Sequence, residues 1–369
     1  MTARVQAVYR IRSDAAQIEA RARAIAVEQS VEMPLGAIDD PAILQDIVAT
    51  VEEIADLGGD LFEARIGLAA ATIGEDAGQL LNMAFGNTSL HDDVTLHDLV
   101  LPAAMEAAFG GPHHGIAGLR ARLGGPARAL TCSALKPQGL TADRLAEVAH
   151  RFALGGLDFV KDDHGIADQA YAPFAARVPA IAEAVRRATR STGHPTRYVP
   201  SLSGDRERME RQLRIARDAG VDTVMAAPML AGAATFQALV RAWPGMAFFA
   251  HPTLAGATGI VPDLLIGKLF RLFGADAVIF PHAGGRFGYA PETCRRLAAN
   301  ATGANPRLRP GFPVPAGGMT AARVPEILDF YGTEVMLLLG GSLLEARERL
   351  TEATAAFTAT VARHGRPAP

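Results

Sequence analysis

Cysteine is nearly absent: Cys132 and Cys294 are the only two in 369 residues, with no CxxC pair, which excludes a disulfide framework and a thiolate zinc site. Both are expected in the core. No run of eighteen apolar residues occurs, and the opening MTARVQAVYRIRSDAA has no uninterrupted apolar h-region, so neither a membrane span nor a secretory leader is expected. A cytoplasmic location is the expectation that follows. There is no Lys/Arg block either, and 36 basic against 39 acidic residues give a net charge of −3, which argues against nucleic acid as a partner. What the chain does have is apolar side chain, 49% of the residues against 20% charged, enough for one large core and a smaller one.

The first hundred or so residues mix short strands with two helices. ARVQAVYRIR alternates like a half-buried strand, Ser13 or Asp14 is the expected N-cap of a helix running to Glu28, and DIVATVEEIAD and LFEARIGLA flank the turn signal LGGD. A second helix around Glu75 to Met83 and a last strand in TSLHDDVTLHDLVLP complete a βαββαβ order, that of a ferredoxin-like α+β module. Later the pattern changes. Eight strand candidates (ARALTCSALKP, LDFVKDD, RYVPSLSG, TVMAAPML, MAFFAHPT, AVIFPHAGG, GFPVPAGG and VMLLLGG) alternate with amphipathic stretches, several closed by glycine. That is the arithmetic of a (β/α)8 barrel, and no GxGxxG supports a doubly wound sheet. The expected α/β architecture is therefore an N-terminal ferredoxin-like domain, 1–112, and a C-terminal barrel, 113–369.

Barrel enzymes react at the C-terminal mouth, so strand ends are the residues to read. They are Lys136, the run Lys161-Asp162-Asp163-His164, Ser201 and Ser203, His251, His282 with Gly284-Gly285-Arg286, Gly317-Gly318 and Gly340-Gly341. A strand ending in a lysine and two carboxylates needs compensation, by a divalent cation or by a salt-bridged knot. Lys136 is a candidate general base or an anion clamp. PAGGMT and LGGSL each pair glycines just before a helix, which suits a bound phosphate, although a tight turn calls for glycines too.

These residues resemble the large-subunit family of ribulose bisphosphate carboxylase, RuBisCO, over nearly the whole chain. KPQGL followed by GGLDFVKDDHG resembles its catalytic lysine and metal signature, PVPAGGM and LLLGGSL its phosphate loops, and AIAVEQS and MAFGNTSL the segments that carry its active-site Glu and Asn. The resemblance implies that Lys161 is carbamylated by CO2, that Lys161, Asp163 and His164 hold one Mg2+, and that Lys136 and His251 work at the reacting atoms. It further implies that His282, Gly284, Gly285, Arg286, Gly317, Gly318, Gly340 and Gly341 bind the phosphorylated substrate. Glu28 and Asn87 would reach into a partner's site, which implies a homodimer.

Five departures from the carboxylases stand out: His164 for a metal-binding Glu, Gln138 for a second Lys, Pro252 for a phosphate-binding Arg, HAGGRFGY for a lysine-bearing loop, and Ala316 for a Ser. They fall on CO2 addition, the second phosphate and the metal. The profile resembles the RuBisCO-like proteins, and the expected reaction is metal-assisted proton transfer on a singly phosphorylated ketose, with 5-methylthioribulose-1-phosphate isomerisation favoured. The alternatives are the 2,3-diketo-5-methylthiopentyl-1-phosphate enolase of methionine salvage, a decarboxylase of a branched sugar-acid phosphate, and a non-catalytic sugar-phosphate-binding or stress-linked protein.

Overall fold

The alternation of ARVQAVYRIR becomes strand β1 (Arg4–Arg12), in which Val5, Ala7, Tyr9 and Ile11 are buried. It is the third strand of an antiparallel sheet of order β2-β3-β1-β4, with β2 at Thr50–Gly58, β3 at Leu61–Ala69 and β4 at Val94–Val100. Helices α1 (Ile18–Glu28) and α2 (Ala77–Phe85) complete the ferredoxin-like order. The computed structural model describes residues 3–364; residues 1–2 and 365–369, the ends of the two expected domains, lie outside the described residues.

One expected cap is corrected. Helix α1 begins at Ile18, and neither Ser13 nor Asp14 caps it by a side chain: Gln17 is its N-cap. The Ser13 hydroxyl donates to the Asp14 carbonyl, and that carbonyl accepts from Gln17 and Ile18 instead, so a turn precedes the helix. Asp76 is a true cap, its carboxylate accepting from Gln79 N at 2.7 Å at the start of α2.

Helices α3 (Ala103–Phe109) and α4 (Gly115–Ala121) lead into eight parallel strands, all eight at the expected segments. These are β5 (Leu130–Leu135), β6 (Phe159–Asp162), β7 (Arg197–Val199), β8 (Thr223–Ala226), β9 (Ala247–Ala250), β10 (Ala277–Pro281), β11 (Phe312–Ala316) and β12 (Met336–Leu338). Two halves, β12-β5-β6-β7 and β11-β10-β9-β8, form the wall. They meet where Ser201 bridges Met225 after β7, and where β11 packs against β12.

Period-two alternation sorts each strand into an inner and an outer row. Leu130 and Cys132, Phe159, Val199, Met225, Phe249, Ala277 and Ile279, Phe312 and Val314, and Met336 fill the barrel interior. Val160, Tyr198, Val224, Phe248, Val278 and Phe280 face the surrounding helices. Ile116 and Leu119 of α4 join the inner set and close the lower end. The barrel interior is therefore left open at its upper mouth.

Candidate active site

Continued upward, the inner row ends on Lys136, Lys161, Asp163 and His251, which therefore converge on the mouth. Lys136 Nζ donates to Asp163 Oδ1 at 2.7 Å, and His164 Nδ1 lies 3.5 Å from the same oxygen. Burial alone would raise the Asp163 carboxyl, but His164, Lys136 and Lys161 around it hold it well below the usual carboxylate range. The site sets one carboxylate among basic side chains.

Lys161 is 2% exposed, with Nζ donating to the carbonyl of Asp162 at 2.8 Å. Burial lowers its ammonium pKa, since a low-dielectric surrounding disfavours the charge, while Asp163 and Asp162 pull the other way. Asp162 itself faces outward. It accepts from Arg177 at 3.1 Å, from the Tyr198 hydroxyl at 2.8 Å and from Ser201 N at 3.0 Å, with Asp162 and Arg177 wholly buried. Of the two compensations expected for the run, the salt-bridged knot is what holds Asp162, while Asp163 faces the mouth paired with Lys136.

His251 is fixed on two sides. Its Nδ1 lies 2.7 Å from Thr253 Oγ1, and the His164 ring stacks on it at 4.6 Å between centroids and 12° between planes. Burial, with Lys161 and His164 beside it, pushes its pKa down to about 2, so the imidazole is neutral at any physiological pH. Further along the rim stand the glycine loops, the one after β12 next to the end of β5. Gly317 and Gly318 have φ of +86° and +89°, and Ser342 Oγ donates to Met319 O at 2.9 Å, tying the loop after β11 to the one after β12. Around Gly340 and Gly341 a side-chain carbon would meet nothing within 4 Å. The helix that follows, Gly341–Leu344, has only four residues, so this cradle would act through individual N–H groups more than through a helix dipole.

His282 and the loop after β10 are placed differently. Ile279 points inward, Phe280 outward, and His282 continues the outward row, 3% exposed, its Nδ1 2.9 Å from the Tyr331 hydroxyl and its ring against Phe330. It is not brought together with Lys136 and His251. Gly285 lies so close to the Gly317 carbonyl that a Cβ would collide with it, and Arg286 N donates to that carbonyl at 3.3 Å while its guanidinium lies over Phe287. Gly284 faces the guanidinium of Arg323. The loop thus folds onto the glycine cradle.

Glu28, at the end of α1, and Asn87, in the turn after α2, meet in the N-terminal domain, where Asn87 Nδ2 donates to Glu28 Oε1 at 2.8 Å and to Glu32 Oε1 at 3.2 Å. Buried Gln29 arranges this, donating to the carbonyls of Asn82 and Met83 and accepting from the Thr88 hydroxyl at 3.0 Å. Sequence reading missed Gln29, Arg177, Thr253 and Ser342. Three of them adjoin a motif residue, which is the one signal for them; Arg177 has none, being fifteen positions from its partner Asp162.

Comparison with known proteins adds the family to this fold. The family described as "Ribulose bisphosphate carboxylase large chain, catalytic domain" matches residues 115–347. A Rhodospirillum rubrum protein named 5-methylthioribulose-1-phosphate isomerase is 62% identical over 363 residues, 98% of this chain and 97% of that protein. A 2,3-diketo-5-methylthiopentyl-1-phosphate enolase of Geobacillus thermodenitrificans is 30% identical, covering 80% of this chain and 76% of the relative. The crystal structure of a RuBisCO-like protein from Rhodopseudomonas palustris superposes with a TM-score of 0.93 at 48% identity, over the full length of both chains. Fold, mouth residues and relatives agree that this chain belongs to the RuBisCO large-chain family, among its RuBisCO-like proteins.

Proposed function

We propose that the chain isomerises 5-methylthioribulose 1-phosphate by moving protons along the sugar. The observation that carries this is the pairing of one anion cradle at Gly317, Gly318, Gly340 and Gly341 with a proton-handling set, Lys136, Lys161, Asp163 and His251, while the positions for a second phosphate hold Gln138, Pro252 and Ala316. The name of the 62% identical relative supports the same substrate. The far end of the substrate then meets a less cationic surface, compatible with a thioether. The outward placement of His282 leaves the cradle as the main phosphate contact.

Among the described residues no three His, Cys, Asp or Glu side chains cluster to hold a metal ion unaided. Asp163 and His164 supply two adjacent donors, and burial favours the free amine of Lys161, which would attack CO2 and release a proton, so carbamylation would add the third, an anionic oxygen. On that condition the residues fit Mg2+. When bound there, Mg2+ would polarise the substrate's carbonyl and stabilise the charge that develops as the neighbouring carbon loses its proton. Isomerisation removes a proton from one position and returns it at another. In this reading Lys136 and neutral His251 carry out the two transfers. Glu28 and Asn87 would complete the site across a homodimer.

The test is to incubate the protein with Mg2+, CO2 and candidate ketose monophosphates in D2O and follow deuterium uptake and product by NMR. Conversion of methylthioribulose phosphate with uptake at carbon is expected. No exchange with any of them, or preference for a bisphosphate, sinks the reading. His164→Glu is expected to tighten Mg2+ binding through a harder oxygen ligand, measured by calorimetry. Unchanged affinity would remove His164 from the ligand set.

A further inference from the structure

Thr253 moves no proton in the proposed reaction, yet the chain bends to bring it to His251. Pro252 and Thr253 leave β9 in a tight turn in which Ala255 N donates to Pro252 O at 2.9 Å. The turn's third residue, Leu254, is left-handed at φ 64° and ψ 1°. That is the glycine place of a type II turn, where a leucine is strained. Leu254 is also mostly in solvent, so packing does not recover the strain. What the turn achieves is the 2.7 Å approach of Thr253 Oγ1 to His251 Nδ1. With the His164 ring on its face, His251 has only Nε2 left for a ligand.

The surroundings decide which nitrogen carries the proton. Thr253 is half-buried, so its O–H can donate to water while its oxygen accepts. The Lys136 ammonium, held at the mouth by Asp163, acts on the ring as a positive charge, and it favours a lone pair over an N–H at the edge that faces the mouth. We propose that Thr253 is a positioning residue for the isomerisation, accepting the Nδ1–H of His251 and so keeping Nε2 unprotonated with its lone pair open to the mouth. This rests on the proton-moving role given to His251 above.

Thr253→Val keeps the branched shape and removes the acceptor; Thr253→Ser restores it. In 15N-histidine-labelled protein without substrate, with the His251 signals identified by their loss in His251→Gln, the wild type is expected to show a protonated Nδ1 and a bare Nε2. The valine variant is expected to shift toward protonated Nε2, and the serine variant to keep the wild-type pattern. In turnover, Thr253→Val should lower kcat about tenfold, with KM changed less than about twofold, and Thr253→Ser should recover most of it. Thr253→Ala serves in place of valine if that variant does not fold. A wild-type ring protonated at Nε2, an unchanged tautomer in the valine variant, or an equal loss of kcat in the serine variant overturns the proposal. Because the spectra need no substrate, they fail or hold separately from the assignment of the reaction.

Discussion

A methyl group added at Gly341 would meet nothing within 4 Å, whereas one added at Gly285 would run into the Gly317 carbonyl. The two glycines therefore answer different questions. Gly341 has room for a side chain in the protein alone, so only a ligand pressed against the backbone would feel it. Gly341→Ala is expected to leave the melting temperature unchanged and to raise KM for the phosphorylated ketose by about tenfold, for ~1.4 kcal/mol of lost binding. Normal affinity for the monophosphate in that variant would remove the loop after β12 from the phosphate site. Gly285→Ala should instead cost about 1–3 kcal/mol of stability through overpacking, seen in denaturant unfolding without any substrate. An unaffected Gly285→Ala would show that the loop after β10 moves freely off the cradle.

Between elements, buried charge fixes how the strands stand. Asp158, just before β6, is wholly buried and accepts from Arg128 at 2.7 and 2.8 Å and from Thr131 N and Oγ1, so it ties the start of β5 to that of β6. Burial alone would raise its pKa, but these partners and His194 bring it down to about 2, against 3.8 for the free group. A carboxylate with a depressed folded pKa stabilises the fold above its unfolded value and loses that contribution as pH falls toward the folded one. The wild type should therefore lose roughly 2 kcal/mol between about pH 5 and pH 2 from this group. Asp158→Asn should be less stable at neutral pH and lack that part of the acid loss, as measured by urea unfolding across the range. An identical pH profile in the variant would mean that Asp158 keeps its ordinary pKa.

The same elements mark what was legible in the sequence. All eight barrel strands could be read because each is a short Val, Ile, Leu, Phe or Ala run stopped by polar residues or glycine, and the N-terminal order followed from β1 alternation and the LGGD turn. The ends of strands were harder. Asp162 and His282 read as mouth residues beside Asp163 and His251, and only period-two counting from the buried centre of the strand turns them outward, Asp162 onto Arg177 and His282 onto Tyr331. The start of α1 was misread because a side-chain oxygen at Ser13 or Asp14 looks like a cap, whereas the hydroxyl is spent on a neighbouring carbonyl. Pairings such as Asp162 with Arg177 depend on how far a helix lies from its strand, which no local pattern records.

At the scale of the whole molecule, the two halves are joined by specific bonds: Leu96 of β4 bridges Ile260, Lys268 donates to Asp98 at 2.7 Å, and the Gln237 amide joins Ala77 N and Glu75 O. The N-terminal sheet is thereby held in one place on its own barrel. The Glu28–Asn87 pair nevertheless is exposed, and the segment that follows Glu28 carries Met33, Leu35, Ile43 and Leu44, apolar side chains exposed by 38–42%. An exposed apolar segment following a paired carboxylate suits a second chain, and a two-fold dimer would set each chain's Glu28–Asn87 pair against the other's barrel mouth. This can be separated from a self-contained site by complementation. Glu28→Gln and Lys161→Ala should each be nearly inactive alone. In a dimer that mixes them, a shared site made from the barrel of one chain and the sheet of the other gives one site with both lesions and one with neither. Random mixing of the two chains on co-expression makes about half of the dimers mixed, so about a quarter of wild-type activity should return. If each site were built within one chain, every site would carry one lesion in any mixture, and activity would stay at the level of the separate variants.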